Sequence, residues 1–202
     1  MQMRSEIKGT KRVITIVVIF LVIMACGFCF LRYQTKISRK PEQVPTQVPT
    51  QVEQVLSLDE EEYPQSVREV IRQYNKVIGC LYNEEYSKTE FAELADFSRK
   101  FLDDEFLESS PKDSYLEDLK QDIERYHENN KIIVSSAVDN DNEIRYKKMD
   151  GDDCANVRSS YYIKENGEYS CIYKMYVMRK DTDGNWKILV SYQVNGDSSD
   201  DR

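Results

Sequence analysis

The stretch that decides the fold covers residues 157–180 and reads VRSSYYIKENGEYSCIYKMYVMRK. At its centre is Asn166-Gly167, a pair that supplies the positive φ values of a two-residue type I′ turn. Alternating apolar residues precede this turn, and a long segment rich in Tyr, Met and Ile follows it from Tyr169 onward. Two strands joined by so short a turn pair in antiparallel fashion. The sequence therefore predicts a β-hairpin here.

Three further segments have the two-residue period of a strand. They cover residues 132–138, 144–149 and 186–194, and turns rich in Asp, Asn and Gly separate them. With the hairpin they form a predicted antiparallel sheet of about five strands. Because both faces of the fourth strand, residues 169–180, are rich in Tyr, Met and Ile, we expect a curved sheet that wraps the first helix.

The residues before the sheet have the period of helices. Apolar residues recur every three or four positions in three segments, which start near Pro64, Ser87 and Ser110-Pro111. Ser87 and Glu90 have the spacing of a capping box. The three stripes are Val67, Val70, Ile71, Tyr74, Val77, Ile78 and Leu81; then Phe91, Leu94, Ala95, Phe101, Leu102 and Phe106; then Leu116, Leu119, Ile123 and Tyr126. Three helices followed by an antiparallel meander predict one α+β domain over residues 59–194.

A stalk is predicted before this domain, over residues 32–58. Its first part is basic, and Gln-Val-Pro-Thr then occurs twice in tandem after Pro41 and begins a third time. Proline at every fourth position fixes φ and removes backbone donors, which favours an extended path over a packed core. At the other end, residues 195–202 are predicted to form a disordered acidic tail.

Residues 13–31 contain no charged side chain, and Thr15 is the most polar of them. A run of this length is sufficient for a helix that spans a bilayer, which takes about 20 residues. A cleaved signal peptide and a lipid-modified Cys26 are the alternatives, but the apolar run is long for the first and continues beyond Cys26 for the second. The sequence predicts a single transmembrane helix at residues 13–31, whose partner is the lipid bilayer.

The charge changes sign along the chain. Residues 1–40 carry eight basic side chains and one acid, whereas the remaining 162 residues carry 20 basic and 35 acidic side chains. An acidic body lacks the positive face that phosphate binding needs, so the pattern excludes a nucleic-acid partner. The basic residues divide equally between the two flanks of residues 13–31, and we expect residues 1–12 as a basic cytoplasmic tail with the C-terminal domain outside the cytoplasm. The eight are Arg4, Lys8, Lys11, Arg12, Arg32, Lys36, Arg39 and Lys40.

The order of elements resembles a known superfamily. Three helices, a long-stranded meander and a final strand that begins Gly184-Asn185-Trp186-Lys187-Ile188 are similar to the NTF2-like, cone-shaped α+β domains. The resemblance covers about residues 64–194. Its layout of short tail, single span and exported domain is similar to the VirB8-type and TcpC-type scaffold subunits of conjugation and secretion machines. The resemblance implies a cone with an open mouth, but it carries no catalytic motif over to this chain.

Few residues have the chemistry of an active or metal site. His127 is the sole histidine, and at the end of the third helix it has a sufficient structural role beside the helix dipole. Cys80, Cys154 and Cys171 are scattered, which favours buried thiols over one disulfide and a free thiol. Asp139, Asp141 and Glu143 alternate, but Ile144 stands where a calcium loop needs glycine. We predict no catalytic residue, no cofactor and no metal site.

The fourteen tyrosines either form sheet core or line a pocket or a contact surface. The candidate pocket or contact residues are Tyr74, Tyr161, Tyr173, Tyr176, Trp186 and Tyr192. The resulting hypothesis is a non-enzymatic, membrane-anchored module for protein interaction or envelope assembly, with a protein partner or self-association. The alternative is a pocket that binds a small ligand or peptide, as in a sensor or carrier. An NTF2-like enzyme is the third possibility, and the sequence favours it least.

Overall fold

The predicted hairpin is present in the computed structural model, which describes residues 49–196. The helices are α1 (Gln51–Ser57), α2 (Val67–Asn83), α3 (Lys88–Arg99), α4 (Asp104–Ser109) and α5 (Lys112–Glu128), with a 3₁₀ turn at Leu58–Glu60. The strands are β1 (Lys131–Val138), β2 (Arg145–Met149), β3 (Asp152–Glu165), β4 (Glu168–Lys180) and β5 (Trp186–Val194). The fold is therefore α+β, with five helices and a five-stranded antiparallel sheet in the described part of the chain.

The turn between β3 and β4 has the predicted chemistry. Asn166 has φ 50° and Gly167 has φ 91°, and Glu165 pairs with Glu168 across the turn. This turn sets the register of both strands, so that Tyr162 lies opposite Cys171 and Val157 lies opposite Tyr176. Because side chains alternate between faces along a strand, Tyr161 and Tyr176 share one face, whereas Tyr162 points to the other.

The sheet has the order β1-β3-β4-β5, and β2 pairs with β3 alongside β1. Strand β1 covers the half of β3 next to the hairpin, and β2 covers the half that begins at Asp152. The helices pack on the inner face of this sheet, which we define by Ala155, Val157, Tyr176, Met178 and Ile188. Long-range contacts of α2 with β1, β3 and β5 place that helix against the sheet, as the sequence predicted for the first helix.

The folded unit begins at Pro49 and not at Asp59, where the sequence analysis placed the start of the domain. Thr50 and Glu53 form a capping box that starts α1. Val52 and Val55 of this helix are 3% and 7% exposed and belong to the core. The predicted stalk is therefore too long at its C-terminal end, because the third Gln-Val unit is the first turn of a helix with an apolar face.

The predicted second helix is divided into α3 and α4. Between them, Ile188 N donates to Phe101 O at 2.7 Å, and Asp103 N donates to Ile188 O at 2.9 Å. The segment is thus extended and pairs in parallel with β5 at Leu102. Asp103 then begins α4, since its side chain accepts from Glu105 N. The apolar period continues through the break, so periodicity alone could not show that the backbone leaves the helix there.

The remaining predictions at the ends of the chain concern residues that the structure describes little or not at all. The predicted tail, transmembrane helix and most of the stalk fall within residues 1–48, outside the described residues. Of the predicted acidic tail, only Asn195 and Gly196 are described. Within residues 49–196, none of the helices combines the length and the apolar character that crossing a membrane takes.

Candidate functional site: a tyrosine-lined cavity

A cavity of about 480 Å³ lies between α2, α5 and the inner face of the sheet. Six tyrosines and four isoleucines form most of its lining, and the charged side chains among the lining residues come from α5 and β4. The full lining is Tyr74, Ile78 and Tyr82 from α2; Tyr115, Asp118, Leu119, Asp122, Arg125 and Tyr126 from α5; and Ile133, Tyr161, Ile163, Ile172, Lys174 and Tyr176 from the strands.

The side-chain repeats of the helix and of the strands explain why these residues point into the cavity. Tyr74, Ile78 and Tyr82 are four positions apart and therefore lie on one face of α2. Ile172, Lys174 and Tyr176 alternate along β4 and point to the inner face. Tyr161 on β3 lies directly opposite Ile172 in the register. The hairpin register and the α2 period thus account for the α2, β3 and β4 walls of the cavity.

The floor of the cavity is a buried chain of hydrogen bonds. Tyr161 Oη donates to Asn75 Oδ1 at 2.5 Å, Asn75 Nδ2 donates to Ser159 Oγ at 2.8 Å, and Ser159 Oγ donates to Ala137 O at 3.0 Å. The hydroxyls of Tyr161 and Tyr176 are 2.6 Å apart. Because the proton of Tyr161 is used on Asn75, Tyr176 must be the donor in that contact. The chain therefore has one defined direction, and the oxygen of Tyr176 is left as an acceptor.

An ionic cluster lies on the α5 side of the cavity. Tyr82 Oη donates to Asp122 Oδ2 at 2.5 Å, and Arg125 Nη2 donates to Asp122 Oδ1 at 2.9 Å. The ring of Tyr82 also meets the ring of Tyr126 edge to face, with centroids 5.0 Å apart. Both oxygens of Asp122 are thus engaged, and its charge is balanced by Arg125.

Lys174 is the cation on the opposite, β4 side. It keeps access to solvent, and no hydrogen bond or ion pair to any of residues 49–196 engages its ammonium group. Desolvation lowers the pKa of Lys174, and the attraction of Asp122 opposes this only in part. A cation without an internal partner faces an aromatic cavity here.

Burial also changes the acidity of the tyrosines. It raises the pKa of Tyr161 to about 12, and burial followed by the charge of Glu165 raises the pKa of Tyr126 to about 12. The pKa values of Tyr74, Tyr82 and Tyr176 are raised as well, chiefly by desolvation. All these hydroxyls are therefore protonated at neutral pH and can donate a hydrogen bond.

The structure brings together three of the six candidate residues. Tyr74, Tyr161 and Tyr176 line the cavity. Trp186 is buried at the other end of the sheet, where its ring meets Tyr146 with centroids 5.8 Å apart. Tyr173 and Tyr192 point to the outer face. These last three residues therefore lie outside the cavity, and their role as contact residues stays a prediction.

Sequence reasoning missed most of the α5 contribution and Lys174. Tyr82 continues the period of Tyr74 and Ile78 and could have been found by extending that stripe by one turn. Lys174 stands at an inward position of β4, and the strand period alone places it beside Tyr176. Asp122 and Arg125 gave no signal, since an Asp and an Arg three positions apart are common on any exposed helix.

His127 lies at the end of α5, as predicted, and its partner is on α2. Its Nε2 is 2.7 Å from Tyr82 O, which accepts the ring N–H. The imidazole thus caps a free carbonyl of the last turn of α2. It also borders a second groove of about 770 Å³, whose lining includes the charged side chains of Glu84, Glu85 and Lys88.

The three cysteines within residues 49–196 are free thiols. Cys80 and Cys154 are buried, and Cys171 is half-buried. Burial, with the charges of Glu84 and Glu90, raises the pKa of Cys80 to about 11. Among the described residues, no group of three or more His, Cys, Asp or Glu side chains is arranged to hold a metal ion.

The outer face of the sheet carries a different feature. Tyr162, Tyr169, Val190 and Tyr192 are exposed there, and Ile132 and Val134 are exposed on β1 at its edge. Tyr169 has the largest exposed fraction of them, 71%. Large apolar residues grouped on one face of a sheet are typical of a contact surface.

Comparison with known proteins gives one family. The model of that family matches residues 3–190 and is described as Domain of unknown function (DUF6715). No curated protein matches the chain.

Proposed function

Because this chain belongs to the family Domain of unknown function (DUF6715), we propose a function from its own geometry: it is a membrane-anchored binding protein whose α+β domain holds a small ligand in the tyrosine-lined cavity. The observation that carries this proposal is the cavity of about 480 Å³, within the range of about 300–1,000 Å³ usual for small-ligand sites. Its lining combines aromatic rings with a few polar groups, as such sites do.

The fold and the anchor are parts of the same proposal. The helix order, the antiparallel sheet and the cavity on its inner face support an NTF2-like cone, in which the cavity is the open mouth. The apolar residues 13–31 support a single span, with the domain outside the cytoplasm. A binding protein needs no catalytic constellation, which fits the single histidine capping a helix at His127.

A binding experiment tests the cavity. The probe is naphthalene-2-carboxamide, a neutral aromatic compound, added to the full chain in detergent with its isoleucine methyl groups labelled for NMR. We expect the signals of Ile133 and Ile163 to shift on titration, because both line the cavity. Replacing Ile172→Trp fills the cavity and abolishes these shifts. The matched control Ile132→Trp lies on exposed β1 and leaves them unchanged.

The result that contradicts ligand binding is equally specific. If the methyl signals of the four cavity isoleucines do not move at any probe concentration while the protein stays folded, the cavity does not take an aromatic ligand. Shifts confined to Ile132 would show that the probe binds the outer face.

The anchor has its own test. The full chain is expected to stay with the membrane fraction after alkaline carbonate extraction, because a spanning helix is not released by loss of charge contacts. Protease added to intact cells should remove the domain if it lies outside the cytoplasm. Release of the unprocessed chain, without an attached lipid, into the soluble fraction would contradict the anchor.

Protein interaction through the outer sheet face is the second candidate function. The exposed Tyr162, Tyr169 and Tyr192 favour it, since Tyr is enriched at protein contacts. A photo-reactive amino acid at Tyr169 should form a discrete adduct in cells, whereas the same group at exposed Glu117 on α5 should not. Equal adducts from both positions, or none from Tyr169, would contradict a contact at this face.

A further inference from the structure

Lys174 is the group in the cavity that the fold itself does not use. It stands between Ile172 and Tyr176 on the inner face of β4, opposite fully buried Ser159. The Lys174 side chain keeps access to solvent, but the cavity lining displaces part of the water around the ammonium group, which lowers the pKa of Lys174. A nearby counter-charge would offset that cost.

The nearby acids supply only part of that counter-charge. Asp122 is engaged by Tyr82 and Arg125, through one oxygen each. Asp118 is exposed on α5 at the rim, where water solvates its carboxylate. The acidic groups of the lining are thus either paired or hydrated, and the Lys174 ammonium remains without a hydrogen bond or ion pair to residues 49–196.

Two hydroxyls of the lining are also unused. The buried Oη of Tyr126 has no hydrogen-bond partner among the described residues. Tyr74 packs its ring edge to face against Tyr176, with centroids 6.0 Å apart, and its hydroxyl makes no hydrogen bond to residues 49–196. Because the pKa values of both tyrosines are raised, both hydroxyls keep their protons as donors. Apart from the oxygen of Tyr176, the unused polar groups of the lining that we identify are thus donors: the hydroxyls of Tyr74 and Tyr126 and the ammonium group of Lys174.

We propose that the cavity takes a small amphipathic anion, with a carboxylate-like oxygen group at Lys174 and an apolar or aromatic body between the tyrosine rings. This inference rests on the proposed ligand-binding function and specifies its chemistry. The donors left unused in the cavity are matched by an acceptor with negative charge, and hydrogen bonds to a charged acceptor are roughly twice as strong as neutral ones. The rings of Tyr74, Tyr161 and Tyr176 supply the apolar surface for the rest of the ligand.

A pair of probes that differ only in charge tests the inference. Naphthalene-2-carboxylate and naphthalene-2-carboxamide are titrated into the full chain, with the cavity isoleucine methyl signals as the readout. We expect the carboxylate to bind about tenfold more tightly than the carboxamide. In Lys174→Met, the carboxylate should lose about tenfold in affinity while the carboxamide keeps its affinity. Each probe partitions into the detergent to the same extent in both samples. Comparing its affinity for the wild-type protein with its affinity for Lys174→Met therefore removes this effect.

Two further variants separate charge from packing. Lys174→Arg keeps the charge and should retain most of the preference for the carboxylate. Lys164→Met removes a lysine on the outer face, where the Lys164 ammonium lies 5.8 Å from the ring centroid of Tyr169. This control should change the affinity of neither probe. The methyl signals of core Ile71 and Ile188 report whether each variant is folded.

The outcomes distinguish this inference from the function on which it rests. If both probes bind with equal affinity and Lys174→Met changes neither affinity, the proposed preference for an anion is wrong, whereas the proposal that the cavity binds a ligand is supported. If neither probe shifts the cavity signals in the folded wild-type protein, the ligand cavity itself is wrong. If Lys164→Met and Lys174→Met weaken the carboxylate equally, the effect is one of overall charge and the assignment to Lys174 fails.

Discussion

Asn75 shows how one buried polar residue organises the floor of the cavity. It is 4% exposed and joins α2 to β3 by accepting from Tyr161 and donating to Ser159, itself fully buried. A buried amide that is satisfied on both sides contributes little net free energy, but its partners become costly when it is removed. The tyrosine and serine would then keep unsatisfied groups away from water.

We therefore expect Asn75→Ala to lower the free energy of unfolding by about 2–3 kcal/mol, measured by urea denaturation. Ser159→Ala should lower the free energy of unfolding by less. The double substitution should lower it by less than the sum of the two single effects, because both substitutions remove one shared interaction. Asn140→Ala in an exposed turn is the control and should stay within about 0.5 kcal/mol of the wild type. Additive effects of the two buried changes would contradict a connected network.

Because the pKa values of the cavity tyrosines are raised in the folded protein, we expect the free energy of unfolding to fall at alkaline pH. Burial raises the pKa of Tyr161 to about 12, against about 10 in the unfolded chain. The folded state therefore holds this proton more tightly, and its contribution to stability is complete below pH about 10 and is lost as the pH rises through about 12. The pKa values of Tyr74, Tyr82 and Tyr176 are raised in the same direction and act with the same sign.

Urea denaturation at pH values between about 9 and 11 measures this loss, which approaches about 1.4 kcal/mol per pH unit for each group that titrates only in the unfolded state. Tyr161→Phe starts from a lower stability, because it loses its hydrogen bonds to Asn75 and Tyr176, but it should fall less steeply with pH. Equal slopes for the two proteins would show that Tyr161 does not titrate differently in the folded state.

At the scale of elements, α1 is the part of the fold that extends into the predicted stalk. Its capping box fixes its start, and Val52 and Val55 fix its orientation by packing into the core. Thr50 and Glu53 have the spacing of a capping box in the sequence, but the Gln-Val-Pro-Thr repeat favoured the prediction of an extended segment. A seven-residue helix is marginal by itself in water, so only the surface on which it packs makes it stable.

A matched pair of valine substitutions tests this packing. Val52→Ala removes two methyl groups from a site that is 3% exposed and should lower the free energy of unfolding by about 1–2.5 kcal/mol. Val134→Ala makes the same change on β1 at a site that is 52% exposed and should have an effect below about 0.5 kcal/mol. Equal small effects would show that α1 does not belong to the core.

The division between α3 and α4 shows an element decided by its neighbour. Residues 101–103 continue the apolar helical period, yet their backbone bonds to Ile188 on β5 instead. Asp103 is 4% exposed, and Arg179 of β4 binds its carboxylate through two nitrogens. The bidentate pair and the two backbone bonds hold the segment extended, and none of these partners lies within 70 positions in the sequence.

For the whole molecule, the start of the folded unit has a measurable consequence. A chain of residues 49–196 should fold in one cooperative transition, because α1 to β5 share one core. A chain that begins at Asp59 should be less stable by about 2–4 kcal/mol, since it loses the buried Val52 and Val55 and the partly buried Leu56 and Leu58. Calorimetry and urea denaturation of both chains measure the difference. Equal free energies of unfolding for the two chains would show that the folded unit begins at Asp59.

The sequence by itself determined the class of the fold, because its signals are local. The Asn166-Gly167 turn requires positive φ, strand and helix periods set the faces, and capping boxes set helix starts. These signals placed β3, β4 and β5, α2 and α5, and three tyrosines of the cavity. The tertiary structure alone decided the break at Phe101–Asp103, the burial of α1, and the meeting of Asp122 with Tyr82 and of Asn75 with Tyr161. These contacts join residues that are far apart in the chain, and their geometry depends on how the helices pack on a twisted sheet, which no local period encodes.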